Sequence, residues 1–466
     1  WDIYLPDVCR WHADYLKPLF PELSENLDEV GKILEVEKSK YEATKQKTHS
    51  MISRLIKEEL DDKKLLFLYD SYGITPELVM GEALKSGKKI NVPENFYARV
   101  AELHEKQEQE HATKKEEKLN LEGVAETKVL YYDDYTKTKF KAKIVVVIGD
   151  KVILDQTYFY PTSGGQLHDT GTISLLSKEI VHNIINVFKQ GNIIVHVLSE
   201  KSEFTEGGEV ECEINLDRRF QLAKHHTATH IINAAARKVL GNHINQAGAK
   251  KDIDKATIDL THYQSITDEE LEKIEKEANK LIKESLTVHS NFLPRTEAEQ
   301  IYGMGIYQGG AVPGKLLRIV NIDGVDVEAC GGTHLRNTSE AGEIKILKAT
   351  KISDGIVRLY FTAGEAAKKE SKKEKEILEE AAILLNVEID YLPARANELF
   401  EKWKLAKKAA EKKKKIDLKE LELISEGKFK GNVLDKICDI LKTQPEHINK
   451  TIKRFLKELD EFKKKL

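Results

Sequence analysis

The front of the chain repeats apolar residues at a helical spacing. Between Leu27 and Leu55 an apolar side chain recurs roughly every three or four positions, and Ser24 is suited to cap the start of such a helix. A turn at Gly73 and a dense run of charged residues follow. We therefore predict a helical domain over residues 1–120, with its boundary at 120–128.

The next segment changes to the pattern of short strands. The sequence KIVVVIGDKVILD at 143–155 consists of two β-branched runs separated by a Gly-Asp turn. NIIVHVL at 192–198 and EVECEINL at 209–216 have the composition of half-buried strands. Short strands separated by turns are typical of a small barrel. We predict a β-rich, barrel-like subdomain over residues 128–216.

Residues 217–365 mix helical and strand patterns. Asp217 is suited to cap a helix that runs to Leu240, and Thr267 with Glu270 forms a capping box at the start of another helix. Strand-like runs alternate with these helices along the segment. We predict an α+β core here, so that the chain as a whole is a multidomain α+β protein.

The last hundred residues contain a repeat. When the chain is shifted by 56 positions, residues 377–403 overlay residues 433–459, and apolar residues fall on apolar residues although few are identical. We interpret residues 366–466 as a helical tail of two similar hairpins, and we expect weak pairing between chains through their apolar stripes. The stripes include Leu385, Leu399, Leu441 and Phe455.

Composition narrows the class of protein. With 466 residues, 40 % of them hydrophobic and 33 % charged, the chain has room for about two to four globular domains. It contains no long apolar run that predicts a membrane span and no secretory signal pattern. The four widely spaced cysteines indicate no disulfide framework, so we expect a reducing, cytoplasmic setting. Because the chain begins with Trp1, we expect a piece of a longer protein.

Two short motifs carry candidate metal ligands. HHTATH begins at position 225 and CGGTH at position 330. On a helix, two histidines four residues apart lie on one face, and the glycines of the second motif let its cysteine and histidine turn toward one point. Three imidazoles and one thiolate suit tetrahedral zinc, although such a histidine pair is also often just two polar helix residues. The candidate ligands are His226, His230, Cys330 and His334.

The motifs together resemble the editing domain of alanyl-tRNA synthetases. HTATH and CGGTH stand in that family's order with FYPTSGGQ at 159–166 and HINQAG at 243–248. Upstream, FPELSENLDEVGKILEVEKSKYEAT and LYDSYG are similar to the tRNA-recognition domain that precedes editing in those enzymes. The resemblance covers residues 1 to about 365 and extends more loosely into the tail.

The resemblance implies roles for single residues besides zinc binding by the four candidate ligands. Gln246 matches a residue associated with editing, and Thr162, beside Gly164 and Gly165, matches a position that senses the serine hydroxyl. Asp70 matches an aspartate that helps read the G·U pair in the acceptor stem of alanine tRNA. Each also has an ordinary interpretation, with Gln246 as a buried hydrogen-bonding group, Thr162 as a turn residue and Asp70 as a cap.

The resemblance further implies partners and alternatives. It implies binding of tRNA(Ala), hydrolysis of mischarged Ser-tRNA(Ala) and Gly-tRNA(Ala), and no membrane partner. ATP and magnesium are expected only in an N-terminal catalytic portion supplied in the same chain or by a second chain, and a homodimer is expected through a complete C-terminal region. Two alternatives stay open, a stand-alone trans-editing hydrolase and a non-catalytic tRNA-binding scaffold with structural zinc.

Overall fold

The computed structural model shows a chain of mixed helix and sheet built around a six-stranded barrel. It describes residues 4–55, 62–72, 74–85, 87, 92, 93, 96, 99, 119–176, 181–308, 310, 314–412 and 417–464. Within these ranges, no helix is both long enough and apolar enough to span a bilayer.

The front of the described chain is helical. Its helices are α1 (Leu5–Leu16), α2 (Glu22–Glu25), α3 (Leu27–Leu55), α4 (Asp62–Tyr72) and α5 (Pro76–Lys85). The prediction that Ser24 caps α3 is wrong, because the chain forms the one-turn helix α2 there and Ser24 lies inside it. Its hydroxyl is 3.5 Å from the carbonyl oxygen of Ala13. Asp70 lies in α4, but its side chain is outside the described part of the structure.

The barrel occupies the segment with the strand pattern. The strands are β1 (Lys128–Val129), β2 (Lys139–Ile148), β3 (Lys151–Leu154), β4 (Gln156–Thr157), β5 (Gly171–Leu175), β6 (Val181–Gln190), β7 (Ile193–Leu198) and β8 (Glu209–Ile214). The barrel closes in the order β2-β3-β7-β6-β5-β8, and the short strands β1 and β4 pair in parallel outside it. The predicted barrel and its turn at Gly149 and Asp150, between β2 and β3, are confirmed.

Helices and two small antiparallel sheets follow the barrel. The elements are α6 (Leu216–Leu240), β9 (Gln246–Lys251), β10 (Ala256–Thr261), α7 (Asp268–Lys283), β11 (Val288–Pro294), α8 (Arg295–Tyr302), β12 (Leu316–Ile322), β13 (Asp326–Ala329), β14 (Ile344–Ser353) and β15 (Ile356–Ala363). One sheet has the order β14-β15-β10-β9 and the other has the order β11-β12-β13.

Helix α6 runs through the centre of this region. Residues 219–236 of the helix are almost entirely buried, and alanines and isoleucines along it pack into the largest hydrophobic core. The helix is capped by Asn215, whose side chain accepts from the backbone N–H of Arg218, so the prediction of Asp217 as the cap is wrong. Asp217 lies in the first turn instead, where a carboxylate also interacts favourably with the helix dipole. The capping box of Thr267 and Glu270 on α7 is confirmed.

A buried ion pair joins the barrel to α6. The Arg219 guanidinium binds both carboxylate oxygens of Asp169, with its Nε 2.9 and 3.0 Å from them. It also donates to the carbonyl oxygens of Tyr135 and Tyr158, at 3.0 and 2.6 Å. Since both charged side chains are fully buried, their positions relative to each other are fixed by these contacts.

The tail is a bundle of two hairpins, as the repeat predicts. Asn386 and Lys442, which are 56 positions apart, both adopt a left-handed conformation at the end of the first helix of their hairpins, with φ of 50° and 51°. A short 3₁₀ turn follows at the same place in each hairpin. The helices are α9 (Glu365–Leu385), α10 (Leu392–Lys412), α11 (Val433–Leu441) and α12 (Ile448–Lys463).

The apolar stripes of the tail face inward. The four stripe residues expected to pair two chains are at most 4 % exposed, because the two hairpins bury them against each other. The prediction that these particular side chains mediate association is therefore wrong. They are Leu385, Leu399, Leu441 and Phe455.

Candidate metal centre

Four side chains from two separate segments converge in the α+β region. His226 and His230 lie on one face of α6, while Cys330 and His334 come from the turn that follows β13. One ligand atom from each lies within 4.8 Å of the others, and the Sγ of Cys330 is 3.3 Å from the Nε2 atoms of both His226 and His334. At ordinary zinc bond lengths, the ligand atoms of a tetrahedral site lie about 3.3–3.8 Å apart. The cluster therefore needs little adjustment to hold one ion.

The Nδ1 atom of His226 has a partner of its own. It donates to Oε1 of Gln166 at 2.7 Å, and Gln166 is in turn held by Thr333, whose N–H donates to the same oxygen and whose hydroxyl accepts from the Gln166 amide. Because the proton is held on Nδ1, Nε2 presents a lone pair toward Cys330. Gln166 is fully buried, so this arrangement is shielded from water.

The other two imidazoles are oriented in the same way. Nδ1 of His230 donates to Asp326 at 2.9 Å, and Nδ1 of His334 lies 3.3 Å from the hydroxyl oxygen of Thr227. A carboxylate, an amide and a hydroxyl thus leave the three Nε2 atoms free to coordinate. These second contacts are what a metal centre requires of its histidines, and they show that the residues fit a zinc ion.

The CGGTH turn is held from its outer side. The Arg318 guanidinium donates to the carbonyl oxygens of Cys330 and Gly332, both at 2.9 Å. The hydroxyls of Tyr132 and Tyr160 both donate to the carbonyl oxygen of Gly331, at 2.8 and 3.1 Å. Since the backbone is fixed on this side, the cysteine and histidine of the motif face α6.

Contacts within the cluster favour a thiolate. Burial alone would raise the pKa of the Cys330 thiol, but its contacts with the ring nitrogens of His226 and His334 and its hydrogen bond with His230 outweigh burial and hold that pKa well below its ordinary value. Burial lowers the pKa of His226 well below its ordinary value and that of His334 to about 4, so both are neutral near pH 7. Thiolate and neutral imidazole are the forms that bind metal.

His230 has a different environment from the other two histidines. Burial opposes its charged form, but the Glu328 carboxylate and the hydrogen bond to Asp326 outweigh burial and raise its pKa well above the ordinary value. Burial in turn raises the pKa of Glu328 to about 8. A cation at the centre of the cluster would favour the neutral form of His230 and the ionised form of Glu328, so metal binding here is coupled to the release of protons.

The glycine loop of FYPTSGGQ lies against β9. Gly164 and Gly165 have φ of 55° and 72°, and a Cβ on Gly165 would lie 1.9 Å from the carbonyl oxygen of Ala249. Thr162, at the start of the loop, is exposed, and its Oγ1 is 3.0 Å from Nδ1 of His168 and accepts from the backbone N–H of His168. The loop thus places Thr162 at the surface and Gln166 in the core.

Gln246 opens β9, the strand behind this loop. Its backbone N–H donates to Oε1 of Gln308 at 2.8 Å, while its own Oε1 is buried without a hydrogen-bond partner among the described residues. None of the described hydrogen bonds joins Gln246 to the four metal-site side chains. Gln246 thus begins the strand whose other end meets the glycine loop, and it has no described hydrogen bond to the cluster.

Four residues around the cluster were not singled out from the sequence. Gln166 stands in the motif FYPTSGGQ and Thr227 in HHTATH, so the motifs themselves contained the signal for both. The signal for Asp326 and Glu328 was weaker: they are two carboxylates at alternate positions of a short strand just before CGGTH. Nothing in the linear pattern shows which of these side chains reaches which imidazole.

Two family models match parts of the chain. The sequence model of class II (A) tRNA synthetases matches residues 2–218. The model of the second additional domain of threonyl and alanyl tRNA synthetases matches residues 317–360, the part that contains the CGGTH turn.

Curated relatives match almost the whole chain. The alanine–tRNA ligase of Pyrococcus abyssi is 42 % identical over 467 residues, which cover 96 % of this chain and 50 % of that protein. Those of Thermococcus kodakarensis and Methanococcus aeolicus are 38 % and 42 % identical, covering 96 % and 93 % of this chain and 51 % and 48 % of their own lengths. The chain thus spans about half the length of the curated relatives it matches.

Proposed function

Because the chain belongs to the alanyl-tRNA synthetase family, we propose that it hydrolyses alanine tRNA mischarged with serine or glycine. A pocket built for alanine cannot exclude the smaller glycine and discriminates weakly against serine, so such an enzyme needs a second, hydrolytic site. The observation that carries the proposal is the convergence of three oriented imidazoles and one thiolate. This cluster lies beside an exposed glycine loop.

The reaction is hydrolysis of an ester. A water molecule adds to the carbonyl carbon of the aminoacyl group, the bond to the ribose oxygen breaks, and the water's proton passes to the departing 3′-terminal hydroxyl. The chain supplies fixed groups that favour this step. The N–H groups of the exposed Gly164 and Gly165 donate to no acceptor among the described backbone hydrogen bonds, so they can bind the developing oxyanion.

The proposed metal is zinc, held by the four side chains of the cluster. Zinc bound there would act as a Lewis acid that can hold the neutral amino group of the substrate or a water molecule through its lone pair. Gln166, Asp326 and Thr227 keep the imidazoles in the binding tautomer, and the hydroxyl of Thr162 is the proposed partner of the serine hydroxyl. Alanine lacks that hydroxyl, so Ala-tRNA should be spared.

One observation favours a second candidate function. Four protein ligands close a zinc site, and closed sites are usually structural. The chain would then be a tRNA-binding scaffold whose zinc stabilises the fold. Cys330 as a whole residue is only partly buried, so the cluster lies close to the surface, which favours a site that substrate can reach.

The remaining partners are also proposals. We propose that Asp70 contributes to recognition of the tRNA(Ala) acceptor stem, and that a catalytic portion with ATP and magnesium, in the same or a second chain, performs the ligation. We propose pairing of chains through a complete C-terminal region, and a cytoplasmic setting, where Cys330 stays reduced. Alanine-dependent pyrophosphate exchange by the purified 466-residue chain should be absent, and robust exchange would contradict this division of labour.

The decisive assay is deacylation of tRNA(Ala) carrying serine, glycine or alanine. The chain should hydrolyse the first two and spare the third, and Cys330→Ala should lose both activity and zinc. Cys438→Ala, which changes a cysteine in the tail, is the matched control and should keep both. Full zinc content without any hydrolysis of Ser-tRNA(Ala) would favour the scaffold instead.

A further inference from the structure

Lys251 is a buried lysine that the proposed reaction does not use. It is the last residue of β9, is 2 % exposed, and lies beside the glycine loop that leads to Gln166. Lysine side chains are rarely buried to this extent because removing the ammonium from water is costly. A buried lysine next to a metal centre therefore calls for a specific role.

Three contacts tie Lys251 to the glycine loop. Its side-chain Nζ donates to the carbonyl oxygen of Gly164 at 3.1 Å, and its backbone N–H donates to that of Gly165 at 2.7 Å. Its own carbonyl oxygen accepts from the N–H of Leu167 at 3.3 Å. These bonds flank Gln166 on both sides, and Gln166 itself forms a parallel bridge with Lys251.

The bonds lead directly to the metal cluster. Gln166 accepts from Nδ1 of His226, so any shift of the loop changes the orientation of that imidazole. Burial lowers the pKa of Lys251, and the nearby Cys330 and Glu328 side chains offset part of that effect. The loop on its own has two glycines at positive φ and is therefore conformationally free unless something holds it.

From these contacts we propose that Lys251 is a positioning residue, a three-point clamp that holds the glycine loop and thereby Gln166 on His226. It acts through Gln166 and does not itself bind the metal. The proposal rests on the proposed zinc site and goes beyond it by assigning a function to the buried ammonium. The side-chain bond to Gly164 is the part of the clamp that a substitution can remove.

The test uses Lys251→Met, which keeps the length and the two backbone bonds but removes the ammonium. Zinc affinity, measured by competition with a chelator, should fall about tenfold, the size of effect typical for loss of a contact behind a ligand. Amide exchange in the loop at 163–167 should quicken while α6 stays protected. Lys250→Met, at the exposed neighbouring position, is the matched control and should change neither.

A double substitution shows whether Lys251 acts through Gln166. Gln166→Ala alone should weaken zinc binding, and adding Lys251→Met should weaken it little further, because both changes break the same chain of contacts. Additive losses, or unchanged affinity in Lys251→Met, would overturn the clamp. If the unsubstituted chain does not hydrolyse Ser-tRNA(Ala), the proposed function is contradicted, but the zinc-binding results still test the clamp.

Discussion

Gly332 lies directly against the imidazole of His226. A Cβ atom on Gly332 would be 1.9 Å from Cε1 of that ring and 2.1 Å from Nδ1. A glycine is therefore required at position 332 because the His226 ring occupies the space of a side chain, and not because the backbone there is left-handed. Gly331, one position earlier, has room for a Cβ, with the nearest atom, the Tyr132 hydroxyl oxygen, at 3.4 Å.

This pair of glycines gives the first prediction. Gly332→Ala should displace His226 or the turn and lower zinc affinity by at least about tenfold, since an oriented ligand is lost. Gly331→Ala should bind zinc almost as the unsubstituted chain does. Equal zinc affinity in the two variants, measured by chelator competition, would show that the turn and the ring do not meet as described.

The second prediction concerns the choice between serine and alanine. Thr162→Val removes the hydroxyl proposed to bind that of serine, at a cost of about 0.5–1.5 kcal/mol, so the ratio of Ser-tRNA to Ala-tRNA hydrolysis should fall up to about tenfold. Thr162→Ser keeps a hydroxyl and should preserve most of the ratio. An unchanged ratio in the valine variant would mean that another residue senses serine.

The third prediction tests the joint between the barrel and α6. Arg219→Met leaves the Asp169 carboxylate buried without its partner, which should lower the free energy of unfolding by about 3–5 kcal/mol. The exposed pair of Glu365 and Lys368 offers a matched control, and Glu365→Gln should leave stability unchanged within error in urea unfolding. If both variants lost a similar free energy of unfolding, burial of the ion pair would not explain the effect of Arg219→Met.

The fourth prediction concerns pH and His196 in the barrel. Its Nδ1 lies 3.2 Å from the carbonyl oxygen of Val152, its Nε2 lies 2.9 Å from the Thr157 hydroxyl, and burial lowers its pKa from 6.5 to about 4. Between these two values the unfolded chain takes up a proton that the folded chain does not, so stability is lost as pH falls. At pH 5 this loss should be roughly 2 kcal/mol relative to pH 8.

The measurement is urea unfolding at pH 8 and pH 5 for the unsubstituted chain and for His196→Gln. The variant cannot titrate at this position, so its loss of stability between the two pH values should be smaller by that amount. Identical pH dependence in the two proteins would show that His196 does not carry the effect. The other histidines are common to both proteins and cancel in the comparison.

Local features of the fold could be predicted from the sequence, because a few neighbouring residues determine them. The Gly149–Asp150 turn joins two strands that pair in register, and the capping box at Thr267 needs only a residue three positions away. The repeat in the tail was visible as apolar periodicity and extends to matching left-handed residues, Asn386 and Lys442. In each case the interacting groups are close in the chain.

The contacts that build the site could not be predicted in this way. Gln166 meets His226 across 60 residues of sequence, and Asp326 meets His230 across 96. The cap of α6 depended on which of two suitable residues, Asn215 or Asp217, the barrel's last strand delivers to the helix. Apolar spacing alone likewise does not determine whether the apolar stripes of the tail face inward or outward, because that depends on how the two hairpins pack together.

The fifth prediction tests the central claim, that one zinc ion is held by three imidazoles and one thiolate. X-ray absorption at the zinc edge of the purified chain, loaded with one equivalent of zinc, should show about three nitrogen neighbours at ~2.0–2.1 Å and one sulfur at ~2.3 Å. Cys330→Ala should lose the sulfur shell. A shell of oxygen and nitrogen without sulfur in the unsubstituted chain would contradict the four-ligand site.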